Sequence, residues 1–181
     1  MIKENFFYNH NKVFKELIKL DTNSISKLMN LRNYLLEIQK KKKKVFVFGN
    51  VGSAAIANHF IIDLMKNKKI RAINLKETSV ITCLSNDYVY ENWVKKSIEF
   101  NADKGDLVII ISSSGESKNM INACHFAKKK NLKIVTFTGF KKGNKVSKLG
   151  NINFWINSKK YNHIENSHQY LLLSIIDSFL K

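Results

Sequence analysis

The chain has 181 residues, carries 31 Lys and Arg against 14 Asp and Glu for a net charge of +17, and is 44% apolar. That length suits about one domain with a core of its own, and the apolar share argues against a disordered chain. Proline is absent, which excludes Pro-rich linkers; no apolar run approaches the roughly 20 residues a membrane span needs, and no N-terminal stretch reads as a signal peptide.

In chain order, Val13, Leu17 and Leu20 recur at helical spacing. Ile25, Leu28, Leu31, Leu35 and Ile38 do so again after Asp21-Thr22-Asn23-Ser24, whose residues suit a helix N-cap. Helices are therefore predicted over 11–40. The lysines 40–44 read as a solvated helix end, where cations complement the helix dipole. Val45-Phe46-Val47-Phe48 is a short apolar run suited to a buried parallel strand, and it ends in Gly49-Asn50-Val51-Gly52-Ser53. A helix is predicted from Ala54 to Lys66, a strand at Arg71–Leu75, then a polar turn and a mixed segment through Asn86-Asp87. Residues 89–100 read as helical. Val108–Ile111 is a second buried strand and leads into Ser112-Ser113-Ser114-Gly115-Glu116-Ser117. A helix over Lys118–Lys130, strands at Ile134–Phe137 and Asn153–Ile156, and a closing helix over His163–Leu180 complete the pattern. Strands alternating with helices imply βαβ units: an α/β fold with a parallel sheet between helical layers. No internal linker interrupts it, so residues 1–181 are read as one domain.

The charge does not point to specific nucleic-acid binding. Arg32 and Arg71 are the two arginines, and groove readers lean on the arginine fork. The two cysteines, Cys83 and Cys124, lack metal-type spacing and read as reduced buried thiols of a cytoplasmic protein.

Two loops carry the chemical signal, each following a buried strand and opening a helix, where open α/β sheets bind ligands. In Gly49–Ser53 the glycines permit positive φ and close backbone approach. In Ser112–Ser117 there are four hydroxyls in six residues at a helix N-terminus. A cap needs one serine; four make a neutral anion cradle.

These residues resemble a known family. Val47–Ala55 followed by Asn58-His59-Phe60, Leu84–Tyr88 with Tyr90-Glu91-Asn92, Gly105-Asp106 with Ile111–Ser117, Thr138-Gly139, and His163–His168 together look like the bacterial phosphoheptose isomerases, which have the sugar isomerase (SIS) fold. The resemblance spans nearly the whole chain. It implies a flavodoxin-like three-layer α-β-α sandwich with a five-stranded parallel sheet and N-terminal helices. It implies a homotetramer with sites between subunits, and conversion of sedoheptulose 7-phosphate to D-glycero-D-manno-heptose 7-phosphate by enediol proton transfer. By position, it implies that Ser53, Ser112, Ser113, Ser114 and Ser117 bind phosphate, and that Asn50 and Asp87 belong to the pocket. It further implies zinc on His59, Asp63 and Glu165, with Asp63 also the catalytic base. His59 and Asp63, at i and i+4, share a helix face, and imidazole with carboxylate suits zinc or a similar divalent ion.

The departures are specific. Asp63 stands where the family has glutamate, Glu165 where it has glutamine, His163 where it has arginine, Val51 where it has glycine and Asn67 where it has arginine. Leu173 stands where the family has a histidine that binds metal and acts as general acid. His168, three residues after Glu165, is the candidate to replace it as a catalytic group. Two other functions fit these departures: a non-catalytic phosphosugar-binding SIS module of the initiator-associating type, or an isomerase of another sugar phosphate.

Overall fold

In the computed structural model, which describes residues 5–180, the elements are α1 (Asn5–Leu17), α2 (Thr22–Lys40), β1 (Lys44–Gly49), α3 (Val51–Lys68), β2 (Arg71–Ile73), α4 (Thr78–Tyr88), a 3-10 turn (Tyr90–Asn92), α5 (Trp93–Asn101), β3 (Leu107–Ser112), α6 (Lys118–Lys129), β4 (Lys133–Thr138), β5 (Ile152–Trp155) and α7 (Tyr161–Asp177). The ends of the predicted domain, 1–4 and 181, lie outside the described residues. All strand pairs are parallel, in the order β2-β1-β3-β4-β5. This is the predicted α/β sandwich. Among the described residues no helix is long and apolar enough to cross a membrane.

Strand side chains alternate between the two faces of the sheet. Val45, Val47, Leu107, Ile109, Ile111, Val135 and Phe137 pack under α2, α3 and α7. Phe46, Phe48, Val108, Ile110 and Ile134 pack under α4, α5 and α6. Both faces are covered, which is why β1 and β3 read as unbroken apolar runs. Asp21 caps α2, its carboxylate accepting from Ser24 N at 2.7 Å. Asp106 is buried at the opposite end of the sheet from the serine loop. It accepts from Lys44 N at 2.9 Å and Asp103 N at 2.8 Å and so ties the start of β1 to that of β3. Lys44 is accordingly not solvated: it lies on β1, 2.7 Å from Asp103.

Two expectations are corrected. The segment read as a turn and mixed stretch is helix α4, of which only Leu84 is buried; one apolar anchor leaves no periodic stripe to read. Cys83, on that helix, is exposed, while Cys124 is buried as expected.

The order of strands reverses at β1, with β2 on one side and β3 on the other. Such a switch point opens a crevice at the carboxyl ends of the two strands. Gly49 pairs in register with Ile111, so the chain leaves β1 and β3 at nearly the same height and the two loops stand side by side.

Candidate active site

That crevice is a cleft of about 540 Å³. Three helix N-termini border it. Asn50, Val51 and Ser53 come from the start of α3, Ser112, Ser113, Ser114 and Ser117 from the loop before α6, and Tyr161, Asn162 and Glu165 from the start of α7. Helix N-termini present unpaired N–H groups and the positive end of the dipole, an arrangement suited to an anion. Among the described residues no lysine or arginine lines the cleft. The cradle is made of hydroxyls, amides and helix ends, as the serine loop predicts.

The serines are held ready rather than spent as caps. Ser117 is the N-cap residue of α6, yet its side chain makes no capping bond. Ser114 Oγ accepts from Glu116 N at 3.2 Å. Ser53 Oγ and Ser113 Oγ stand 3.5 Å apart and join the two loops. Ser112 Oγ is buried in the wall and has no hydrogen-bond partner, a state that costs free energy unless something comes to it. A second link is Asn50 with Asn119, whose side-chain amides pair across the loops. Asn119 is buried and escaped the sequence reading; its place before Met120 and Ala123, on the core side of α6, was the available signal.

The glycines act through space rather than through φ. A Cβ on Gly52 would come within 2.3 Å of Glu165 Oε2, and one on Gly49 within 2.5 Å of the Ser53 carbonyl oxygen. The left-handed residue of this loop is instead Val51, with φ of 49° and a side chain 93% exposed at the mouth of the cleft. The expectation that a glycine takes the positive φ here is corrected.

Not every expected site residue converges. Asp87 is exposed on α4 and is not part of the cleft wall; its carboxylate meets Cys83 Sγ at 3.7 Å and Asn86 Nδ2 at 3.0 Å. His168 is fully buried, packs edge-on against Phe137, and its Nε2 lies 3.1 Å from the Thr138 carbonyl oxygen. Burial pushes its pKa down to about 4. It is a core residue and does not line the cleft. The stripe Ile164, Leu171, Leu172 and Ile175 around it, all buried, carried that signal. His163 is also buried, with Nε2 3.1 Å from His10 Nδ1, and does not line the cleft. Desolvation, then the charges of His10 and Lys160, lower its pKa.

His59 Nε2 and Asp63 Oδ2 are 3.4 Å apart on α3, and His59 Nδ1 is 3.4 Å from Gln169 Nε2. Glu165 lies instead against Gly52 in the cleft wall, and neither His59 nor Asp63 lines that wall. Leu173 borders a different hollow, with His10 and Phe14. Among the described residues no three His, Cys, Asp or Glu side chains gather closely enough to hold a metal ion. The zinc set implied by the resemblance is thus not assembled by the donors of one chain.

An open α/β sheet with an anion cradle at its switch point defines a phosphate-ligand class of protein, and comparison with known proteins resolves it further. The SIS domain family matches residues 5–139. The phosphoheptose isomerase of Aliarcobacter butzleri is 32% identical over 189 residues, 99% of this chain and 97% of that protein. That of Helicobacter pylori is 31% identical and covers 90% of this chain and 88% of its own. The structure of a phosphoheptose isomerase from Neisseria gonorrhoeae superposes with a TM-score of 0.86 at 24% identity, over 97% of this chain and 96% of that one. The chain belongs to the SIS-domain family and, within it, to the phosphoheptose isomerases.

Proposed function

We propose that the protein is an aldose–ketose isomerase of a phosphorylated sugar, interconverting sedoheptulose 7-phosphate and D-glycero-D-manno-heptose 7-phosphate. The carrying observation is Ser112 Oγ, buried and without a partner in the wall of a cleft bordered by three helix N-termini. The names of the relatives support the choice of sugar.

In this reading the phosphate sits on Ser53, Ser112, Ser113, Ser114 and Ser117, with Asn50 at the rim. The phosphate fixes the far end of the sugar so that its carbonyl end is held for proton transfer. Isomerisation moves one proton between C1 and C2 through an enediol, so the site must supply a base and a donor to oxygen. A homotetramer belongs to the same reading, and the exposed aromatic side chains of Phe7 and Tyr8 on α1 support a second copy as partner. So does a cytoplasmic location.

Proton NMR of sedoheptulose 7-phosphate with the purified protein tests the proposal. The expected result is growth of an aldose anomeric signal to an equilibrium ratio. Binding of the sugar phosphate with no conversion would favour the non-catalytic phosphosugar module. Conversion of a different sugar phosphate alone would favour the diverged isomerase.

A further inference from the structure

Among the described residues the cleft wall holds one aromatic side chain, Tyr161, the first residue of α7. Its ring is 58% exposed, yet it is propped. It packs on Phe140, with centroids 4.9 Å apart and planes inclined by 57°. Phe140 is fixed in turn. It packs against the core under α2, α3 and α7, and its N donates to the Ser158 carbonyl oxygen at 2.9 Å. Its backbone is left-handed, with φ of 50°, a conformation that persists in such a residue only where the surroundings hold it. The preceding residue, Gly139, donates its N–H to the Ser113 carbonyl oxygen at 2.8 Å. A Cβ on Gly139 would come within 2.5 Å of Ile164 Cδ1, so this turn lies directly against α7. The platform beneath Tyr161 is thus tied both to the serine loop and to the helix that carries the tyrosine. The phenol ring is held at a set place beside the phosphate cradle with much of its surface uncovered, forgoing burial that would stabilise the fold.

We propose that Tyr161 is a specificity residue of this cleft, its ring stacking on the C–H face of a cyclic sugar whose phosphate sits in the serine cradle. The inference rests on the phosphosugar reading above. A cradle of hydroxyls and helix ends grips any phosphate monoester, so the body of the ligand is read elsewhere. A closed sugar ring carries its hydroxyls at the edge and C–H groups on a face. An aromatic ring covers such a face without needing a hydrogen bond from it. A closed ring lies on the phenol as it is, whereas an open-chain polyol phosphate loses torsional freedom to do the same. The ligand class is therefore cyclic sugar phosphates, not phosphate monoesters at large. The stack acts at capture. The ring then opens to the carbonyl form, its anomeric proton passing to the ring oxygen, before the enediol proton transfer.

The test is calorimetric titration of wild type, Tyr161→Ala and Tyr161→Phe with sedoheptulose 7-phosphate, with the open-chain alditol phosphate made from it by borohydride reduction, and with inorganic phosphate. Turnover during the titration only exchanges one cyclic sugar phosphate for another. Wild type is expected to bind the ketose phosphate about tenfold more tightly than the alditol phosphate. Tyr161→Ala is expected to bring that ratio close to one while its affinity for inorganic phosphate stays close to wild type. Tyr161→Phe is expected to keep the ratio, since the ring face and not the hydroxyl makes the contact. An unchanged ratio in Tyr161→Ala overturns the inference, as does a wild type that binds both compounds equally. Equal losses of sugar phosphate and inorganic phosphate in Tyr161→Ala also overturn it, because the ring would then be shaping the cradle. A Tyr161-dependent preference in a protein that converts no sugar phosphate upholds this inference and overturns the isomerase reading alone. A wild type that binds none of the three compounds overturns the cleft reading and this inference with it.

Discussion

The side-chain amides of Asn50 and Asn119 exchange two hydrogen bonds. Asn50 Nδ2 donates to Asn119 Oδ1 at 3.1 Å, and Asn119 Nδ2 donates to Asn50 Oδ1 at 3.0 Å. Asn119 Oδ1 also accepts from Met120 N at 3.1 Å, inside the first turn of α6. The N-cap residue of α3 is therefore fastened to the first turn of α6, which sets the spacing of two of the helix ends around the cleft. Paired groups in one network are energetically coupled. A double-mutant cycle with Asn50→Ala and Asn119→Ala, followed by chemical denaturation, is expected to give a coupling of about 1–2 kcal/mol. Additive single losses would mean that the pair does not hold the loops.

Gly52 and Glu165 give a separation of stability from activity. The atom that a Cβ on Gly52 would strike is the far end of a flexible side chain, so the carboxylate swings away and the backbone stays. Gly52→Ala is expected to change the unfolding free energy by less than about 1 kcal/mol and to lower kcat by about 10²-fold through the displaced carboxylate in the cleft wall. Gly49→Ala behaves differently, because the atom in its way is the Ser53 carbonyl oxygen; it is expected to lower the unfolding midpoint strongly.

His168 makes stability depend on pH. Its folded pKa of about 4 lies below the ordinary 6.5, so between these values the unfolded chain binds the extra proton and folding weakens as pH falls. The contribution is fully present above the unfolded pKa and is lost as pH falls from about 6.5 to about 4, on the order of 3 kcal/mol in all. Denaturation measured from pH 7 to pH 4 is expected to show this slope in wild type and a reduced slope in His168→Gln, whose amide N–H can still reach the Thr138 carbonyl. An unchanged slope would show that other groups, His163 first among them, carry the acid sensitivity.

Val51 is a β-branched residue in the left-handed region, a conformation that costs roughly 1–2 kcal/mol for a non-glycine residue. Its side chain packs against little, so Val51→Gly is expected to leave the unfolding free energy unchanged or raise it by up to about 1 kcal/mol, the relieved strain being partly offset by the chain entropy of glycine. Thermal denaturation of the two proteins decides it. A clear loss would mean that the valine side chain makes a contact in the assembled protein.

What the sequence made legible follows from which interactions are local. β1 and β3 announce themselves because both sheet faces are covered and every residue of the run is apolar. The serine loop does so because four hydroxyls exceed what a helix cap can use. α4 is hidden because it buries only Leu84. The positive φ at Val51 could not be read, since composition assigns such positions to the neighbouring glycines. The burial of His168 is legible from the apolar residues four before it and three and four after it, which set it on the buried face. Tyr161 and the closeness of Gly52 to Glu165 depend on contacts between distant parts of the chain and have no local signature.

The most direct test of the central claim, that the cleft is built to receive a phosphate, is Ser112→Ala read two ways. The buried, unpartnered hydroxyl costs stability in the empty protein and is spent on the ligand when phosphate binds. Thermal denaturation without ligand is expected to show Ser112→Ala as stable as wild type, or more stable by up to about 1 kcal/mol. Calorimetric titration with the sugar phosphate is expected to show affinity reduced by about tenfold or more, the loss of one hydrogen bond to a charged group. Unchanged affinity, or a stability loss with no effect on binding, would contradict the account.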